Sequence, residues 1–251
     1  MKRIKLLRTS ITILLASMFF LGCGKDEPMV SPVTTVPTNP VVIPPADTST
    51  STKTSTYLAL GDSYTIGQSV SNNDRFPAQA VALLAKENIK VSTPLYIATT
   101  GWTTTNLMNA INATNLTPPY DIVSLLIGVN DQYQSRDTTG YRQRFTGLLE
   151  KSIQLSGNRP SRVFVVSIPD YSATPFVPQA QKPQVSKEVD WFNSINKDVT
   201  EQRKISYTDI TPGSRDAATN TALVASDGLH PSGLEYAKWA MMLAPKIKAA
   251  L

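Results

Sequence analysis

From residue 57 onward, short apolar runs alternate with longer segments of helical periodicity, and that alternation is what most restricts the fold. The runs 57–60, 95–98, 122–127, 162–168 and 205–209 have the length and apolar density of strands buried on both faces. Between them, 76–87, 104–111, 141–155 and 185–203 carry helical spacing, and 232–250 closes the chain with a last helix that Pro231 begins. Strand followed by helix, repeated throughout, predicts an α/β domain whose parallel sheet is covered on both faces. No internal repeat is visible, and about 195 residues suit one domain with a single core.

The residues ahead of this domain are of two other kinds. Residues 1–22 read as a secretory signal: Lys2, Arg3, Lys5 and Arg8 make a basic start, an apolar stretch spans 11–21, and Gly22 precedes Cys23. The stretch is short for a membrane span, which needs about 20 apolar residues. An uncleaved anchor helix is the other way to read it. Cys23 is the only cysteine, so it has no partner for an internal disulfide. Phe20-Leu21-Gly22-Cys23 resembles a bacterial lipobox, with Phe20 where that pattern usually has leucine, and the resemblance implies a lipid-modified Cys23. Gly24-Lys25-Asp26-Glu27 resembles the signal that follows the cysteine in surface-exported lipoproteins of the Bacteroidota; it reads equally well as an ordinary solvated charge cluster. The expected location is therefore across the inner membrane, lipid-anchored, at the outer membrane or cell surface.

Residues 23–55 hold six prolines and eleven Ser or Thr, a composition that cannot bury enough apolar surface to offset its ordering entropy. They are expected to form an extended tether, with the folded domain at 56–251. The formal charge of +5 is misleading, because four of the 24 basic residues lie in the signal and none of the 19 acidic ones do. The remainder is +1, and no basic patch argues for nucleic acid.

In an open parallel sheet, ligands bind beyond the carboxyl ends of the strands. Past those ends the chain carries Gly61-Asp62-Ser63-Tyr64, then Thr100-Gly101-Trp102, then Gly128-Val129-Asn130-Asp131. Asp227-Gly228-Leu229-His230 precedes the last helix. Acyl transfer needs these parts. A serine hydroxyl attacks only when a base takes its proton, and His230 is the only histidine. That histidine needs a carboxylate on its other nitrogen, which Asp227 can supply from the same turn. The tetrahedral oxyanion needs donors: the Ser63 and Gly101 N–H groups and the Asn130 side-chain amide.

The four motifs, in this order, resemble the four signature blocks of the SGNH hydrolases, the GDSL esterase/lipase family. Ser63, Gly101, Asn130 and His230 match the four residues that name the family, and Asp227 matches the carboxylate of its Asp-x-x-His block. The resemblance spans residues 57–251. It implies a three-layer α/β/α flavodoxin-like fold with a five-stranded parallel sheet. It also implies hydrolysis of short-chain esters, carbohydrate O-acyl esters or lysolipids, with no cofactor.

Each residue has a plainer use. Ser63 could be only the N-cap of a following helix, Asn130 and Asp131 only turn residues, and Gly101 only a positive-φ turn. Trp102 and Tyr133 are candidate substrate-binding residues. Tyr171 and Phe176 are weaker ones, and the proline-rich segment 169–183 is a candidate lid. The nucleophile elbow G-x-S-x-G is excluded, because Thr65 stands two residues after Ser63. One histidine and a lipidated cysteine leave only carboxylates for a metal, so none is expected. No phosphate-binding glycine pattern occurs. From a different class, the chain could be a non-catalytic carbohydrate- or lipid-binding lipoprotein that keeps the hydrolase fold.

Overall fold

Five apolar runs become five strands because each has a neighbour to satisfy its backbone and a helix to cover it. The strands are β1 (Tyr57–Gly61), β2 (Leu95–Ala98), β3 (Ile122–Leu126), β4 (Val163–Val166) and β5 (Ser206–Thr208). They form one all-parallel sheet in the order β2-β1-β3-β4-β5. The computed structural model describes residues 53–136 and 138–251; the signal, Cys23 and the tether up to residue 52 lie outside the described residues.

The helices are α1 (Ser63–Ile66), α2 (Phe76–Lys86), α3 (Thr104–Ala113), α4 (Val129–Ser135), α5 (Tyr141–Leu155), α6 (Lys182–Gln202), α7 (Thr211–Ser214) and α8 (Gly233–Ala250). α2 and α8 pack against each other on one face of the sheet, and α3, α5 and α6 line up on the other. This is the three-layer α/β/α fold, with the flavodoxin-like strand order. β1 and β3 are wholly buried, as strands sandwiched between two helical layers must be.

Aromatic side chains fill the spaces between layers. Phe76 of α2 meets Tyr236 and Trp239 of α8 at ring distances of 6.3 and 6.0 Å, and Tyr64 joins them from α1. On the other face Tyr141 of α5 lies 4.5 Å from Phe192 of α6. Local signals set several helix starts. Thr103 caps α3 in a capping box with Asn106, and Pro77 and Pro183 occupy first turns where a missing N–H costs nothing. The last helix departs from expectation. Pro231 lies before it, in a bridge to Val224, and Ser232 is the cap, its hydroxyl accepting from Glu235 N. Proline fitted the helix start by φ alone, but a capping hydroxyl one residue later satisfies an orphan amide and so takes the position.

Candidate active site

The order β2-β1-β3 makes the β1/β3 junction the point where connections depart to opposite faces, so a crevice forms beyond those two strand ends. β1 runs out at Gly61, and Asp62 caps α1: its Oδ1 accepts from Tyr64 N at 3.0 Å, and its carbonyl takes the N–H groups of Thr65 and Ile66. Ser63 is therefore the first residue of α1 and not its cap. A first-turn N–H has no acceptor inside the helix, so the Ser63 amide is left available as a donor.

Asp62 is fully buried, and its Oδ2 has no hydrogen-bond partner among the described residues. Burial pushes its carboxyl up to about 8, against the opposing hydrogen bond from Tyr64 N, so it is mostly neutral at pH 7.

β3 delivers the second part. Gly128 adopts φ +124, and a Cβ there would lie 2.0 Å from the Tyr141 hydroxyl. The chain then turns directly into α4, which carries Asn130 on its first turn. Asn130 Nδ2 donates to the Trp102 carbonyl at 3.0 Å, which fixes the amide against the loop after β2. Asp131 is no simple turn residue. Its buried carboxylate accepts from Thr104 N (2.8 Å) and Thr104 Oγ1 (2.6 Å), with Arg144 at 3.3 Å, and this joins α4 to α3 and α5.

Gly101, at φ +86 with open space where a Cβ would stand, has its carbonyl held by Gln134 Nε2 at 3.1 Å. It is not among the residues lining the cavity at Ser63. Its tie to the site is through the neighbouring Trp102 carbonyl and Asn130.

The third part precedes α8. His230 Nδ1 lies 2.7 Å from Asp227 Oδ2, while Asp227 Oδ1 accepts from the N–H groups of Leu229 and His230, both at 2.9 Å. A carboxylate only accepts, so Nδ1 carries the proton and Nε2 is left as a base. Ser69 Oγ donates to Asp227 Oδ2 at 2.6 Å. Burial tends to raise the Asp227 carboxyl, but the hydrogen bonds from Ser69, Leu229 and His230 outweigh it and hold the group well below the usual carboxylate range. The imidazole is buried against Tyr64, with ring centroids 5.4 Å apart.

A cavity of about 120 Å³ is lined by Ser63, Asn130 and Leu229 together with Tyr133, Tyr171 and Phe176. His230 lines a second, narrower cavity that shares Tyr64, Tyr171 and Leu229 with the first. The Ser63 hydroxyl makes no hydrogen bond to a described residue, so no closed contact joins serine and imidazole here. Catalytic hydrogen bonds are often open before substrate binds.

Of the two substrate-binding candidates, Tyr133 lines the cavity and is half exposed. The Trp102 ring packs on the core, and only its carbonyl touches the site. Tyr171 and Phe176 belong to the aromatic wall as well, each 6.2–6.3 Å from Tyr133. Within segment 169–183, Phe176 N donates to the Gly228 carbonyl at 3.1 Å, which ties this loop to the turn carrying Asp227 and His230. Cys23 lies outside the described residues. Sequence reasoning missed Ser69, Gln134 and the burial of Asp62. Ser69 is a polar loop residue and Gln134 a polar residue of α4, their partners lie 158 and 33 positions away, and nothing local marks them.

Comparison with known proteins agrees with this architecture. Similar solved structures include a GDSL-like lipase from Parabacteroides merdae (TM-score 0.63, 17% identity, 78% of this chain and 96% of that one). A lipase/acylhydrolase from Enterococcus faecalis (0.60, 19%, 78% and 96%) and an acetylxylan esterase from Geobacillus stearothermophilus (0.57, 18%, 78% and 93%) are also similar. At such identities the likeness concerns the fold. No curated protein sequence matches the chain. Residues 59–238 match the GDSL-like Lipase/Acylhydrolase family, a span that takes in all four motifs. The chain belongs to that family and is, at family level, an ester hydrolase.

Proposed function

We propose that the chain is a serine-dependent carboxylic ester hydrolase in which Ser63 is the nucleophile, His230 the general base and Asp227 its orienting carboxylate. The observation that carries this reading is the Asp227–His230 pair at 2.7 Å, which leaves Nε2 as the basic nitrogen; His230 lines a cavity that shares Tyr64, Tyr171 and Leu229 with the one Ser63 lines. His230 takes the Ser63 proton as Oγ attacks the ester carbonyl. The Ser63 N–H and the second N–H of the Asn130 amide receive the oxyanion; Gly101, which does not line the cavity, is assigned the third donor by the family resemblance alone. Collapse expels the alcohol with the proton from His230, and water repeats the sequence on the acyl-enzyme. No cofactor is needed for these steps.

The size of the cavity and its aromatic wall suit a short acyl group with the alcohol part outside, such as a simple ester or an O-acylated glycan, in preference to a lysolipid chain held along its length. We further propose that Cys23 carries a lipid anchor and that residues ahead of the domain act as tether. A chain lacking residues 1–52 then leaves the membrane fraction, and its retention there would reject the anchor.

Two measurements test the chemistry. A fluorophosphonate probe is expected to label the wild type and not Ser63→Ala, and Ser63→Ala should lose at least ~10³-fold in kcat on p-nitrophenyl acetate with an unchanged far-UV CD spectrum. Undiminished turnover would sink the assignment. A series from acetate to palmitate should favour the short end.

A further inference from the structure

Ser69 takes no part in the proposed acyl transfer, yet its geometry is costly and directed. It lies just past Gly67, the left-handed end of α1, and is itself left-handed at φ +66. A serine seldom adopts that conformation without something to hold it there. Here it sends Oγ to a turn 158 residues away, onto Asp227 Oδ2 at 2.6 Å, the same oxygen that meets His230 Nδ1. The other donors to this carboxylate, Leu229 N, His230 N and the imidazole, all come from its own turn. Among the described residues, Ser69 alone ties this carboxylate to the segment that bears Ser63. The residue before it, Gln68, accepts from Thr100 Oγ1 at 2.7 Å, so the same short segment also touches the loop that carries Gly101.

We propose that Ser69 is a positioning residue of the site: its hydroxyl fixes the plane of the Asp227 carboxylate, joins the acid turn to the nucleophile's helix and draws off part of the charge that Asp227 presents to His230. This inference rests on reading Asp227 and His230 as the acid–base pair. With the hydroxyl removed, the carboxylate turns more freely and pulls harder on the imidazolium. The rate falls, and His230 is deprotonated only at higher pH. The other titratable groups facing His230 are Tyr64 on α1 and, across the narrower cavity, Asp170, Tyr171 and Glu235. Asp170 is paired with Arg215, and Glu235 with Trp239 Nε1 and Lys238. Ser69 is hydrogen-bonded to none of them.

The test uses the full chain in detergent with two variants. Ser69→Ala removes the hydroxyl and keeps the unfavourable φ; Ser69→Gly removes both. Each is expected to lose about tenfold in kcat on p-nitrophenyl acetate with KM within about twofold. The acid limb of the kcat/KM profile should move up by about half a pH unit in both. Ser69→Gly should match or exceed the wild type in urea resistance. Wild-type kcat and profile in both variants would overturn the proposal, as would a loss that follows stability and leaves the acid limb in place. The reading beneath it is tested separately. Turnover surviving in Ser63→Ala removes the whole scheme, whereas a dead Ser63→Ala beside wild-type Ser69 variants removes only the positioning role.

Discussion

The carboxyl of Asp62 sits at full burial one residue before the proposed nucleophile, with a hydrogen bond on one oxygen and, among the described residues, none on the other. In the unfolded chain it ionises near the ordinary aspartate value of about 3.9, and in the fold burial delays this to about 8. Between those limits the native state binds the extra proton, so stability falls as pH rises through the window and levels off above it. Asp62→Asn keeps an oxygen for Tyr64 N and has no charge to bury. The variant should gain on the wild type as pH goes from 5 to 8, by ~1 kcal/mol or more at the upper end. Urea midpoints at the two pH values check this; a gap that stays constant would show that the carboxyl ionises freely in the fold. Asp62 also marks a limit of sequence reading at this scale. Its place before Ser63 is visible in the chain, but its full burial comes from the tertiary fold and leaves no local mark.

Among the secondary-structure elements, the strands and long helices lie within about three residues of their expected bounds, because apolar period and length carry that information directly. Two of the expected segments, β2 and α5, agree residue for residue. The pieces that escaped are α1, α4 and α7, which are too short for a period to register. α4 is the instructive case. Gly-Val-Asn-Asp after a strand reads locally as a turn, and it becomes a helix because Asp131 finds Thr104 and Arg144 on other helices. The glycine before α4 gives a prediction at this scale. Gly128→Ala must force the Tyr141 hydroxyl away from Ile127 O and Asn196 Oδ1 and must hold an alanine at φ +124. It should cost ~3 kcal/mol or more. Gly101→Ala meets no atom within 4 Å and should cost only the backbone term, ~1 kcal/mol. Chemical denaturation of the two variants side by side checks the ordering; equal losses would mean that the space around the added methyl does not matter.

Taken as a whole, the chain divides where its composition changes, yet the polar end of the tether-like stretch already belongs to the sheet's surroundings. Ser55 bridges to Val91, with Ser55 N on the Lys90 carbonyl and Ser92 N on the Ser55 carbonyl, both at 2.9 Å. Thr56 gives its N–H and hydroxyl to Asp121 Oδ2, and its own hydroxyl accepts from Asp121 N. Composition did not reveal this, because the Ser55 bridge uses backbone groups that any residue brings and the partner of Thr56 lies 65 positions away. The Lys53–Asp121 contact adds little, since the lysine is mostly exposed. A chain beginning at Lys53 keeps every one of these bonds. It contains no cysteine, so its stability owes nothing to a disulfide, and it should fold, resist reductant and hydrolyse p-nitrophenyl acetate at the full-length rate. A chain beginning at Tyr57 loses them together and leaves Asp121, with a side chain only 9% exposed, on Arg159 alone. Removing several hydrogen bonds and part of the pairing of a nearly buried carboxylate should cost ~2–4 kcal/mol. Urea midpoints of the two shortened chains measure the difference. Equal midpoints would place the true edge of the folded unit at β1, whereas a large gap would mean that the strap of residues ahead of β1 belongs to the sheet that presents the site.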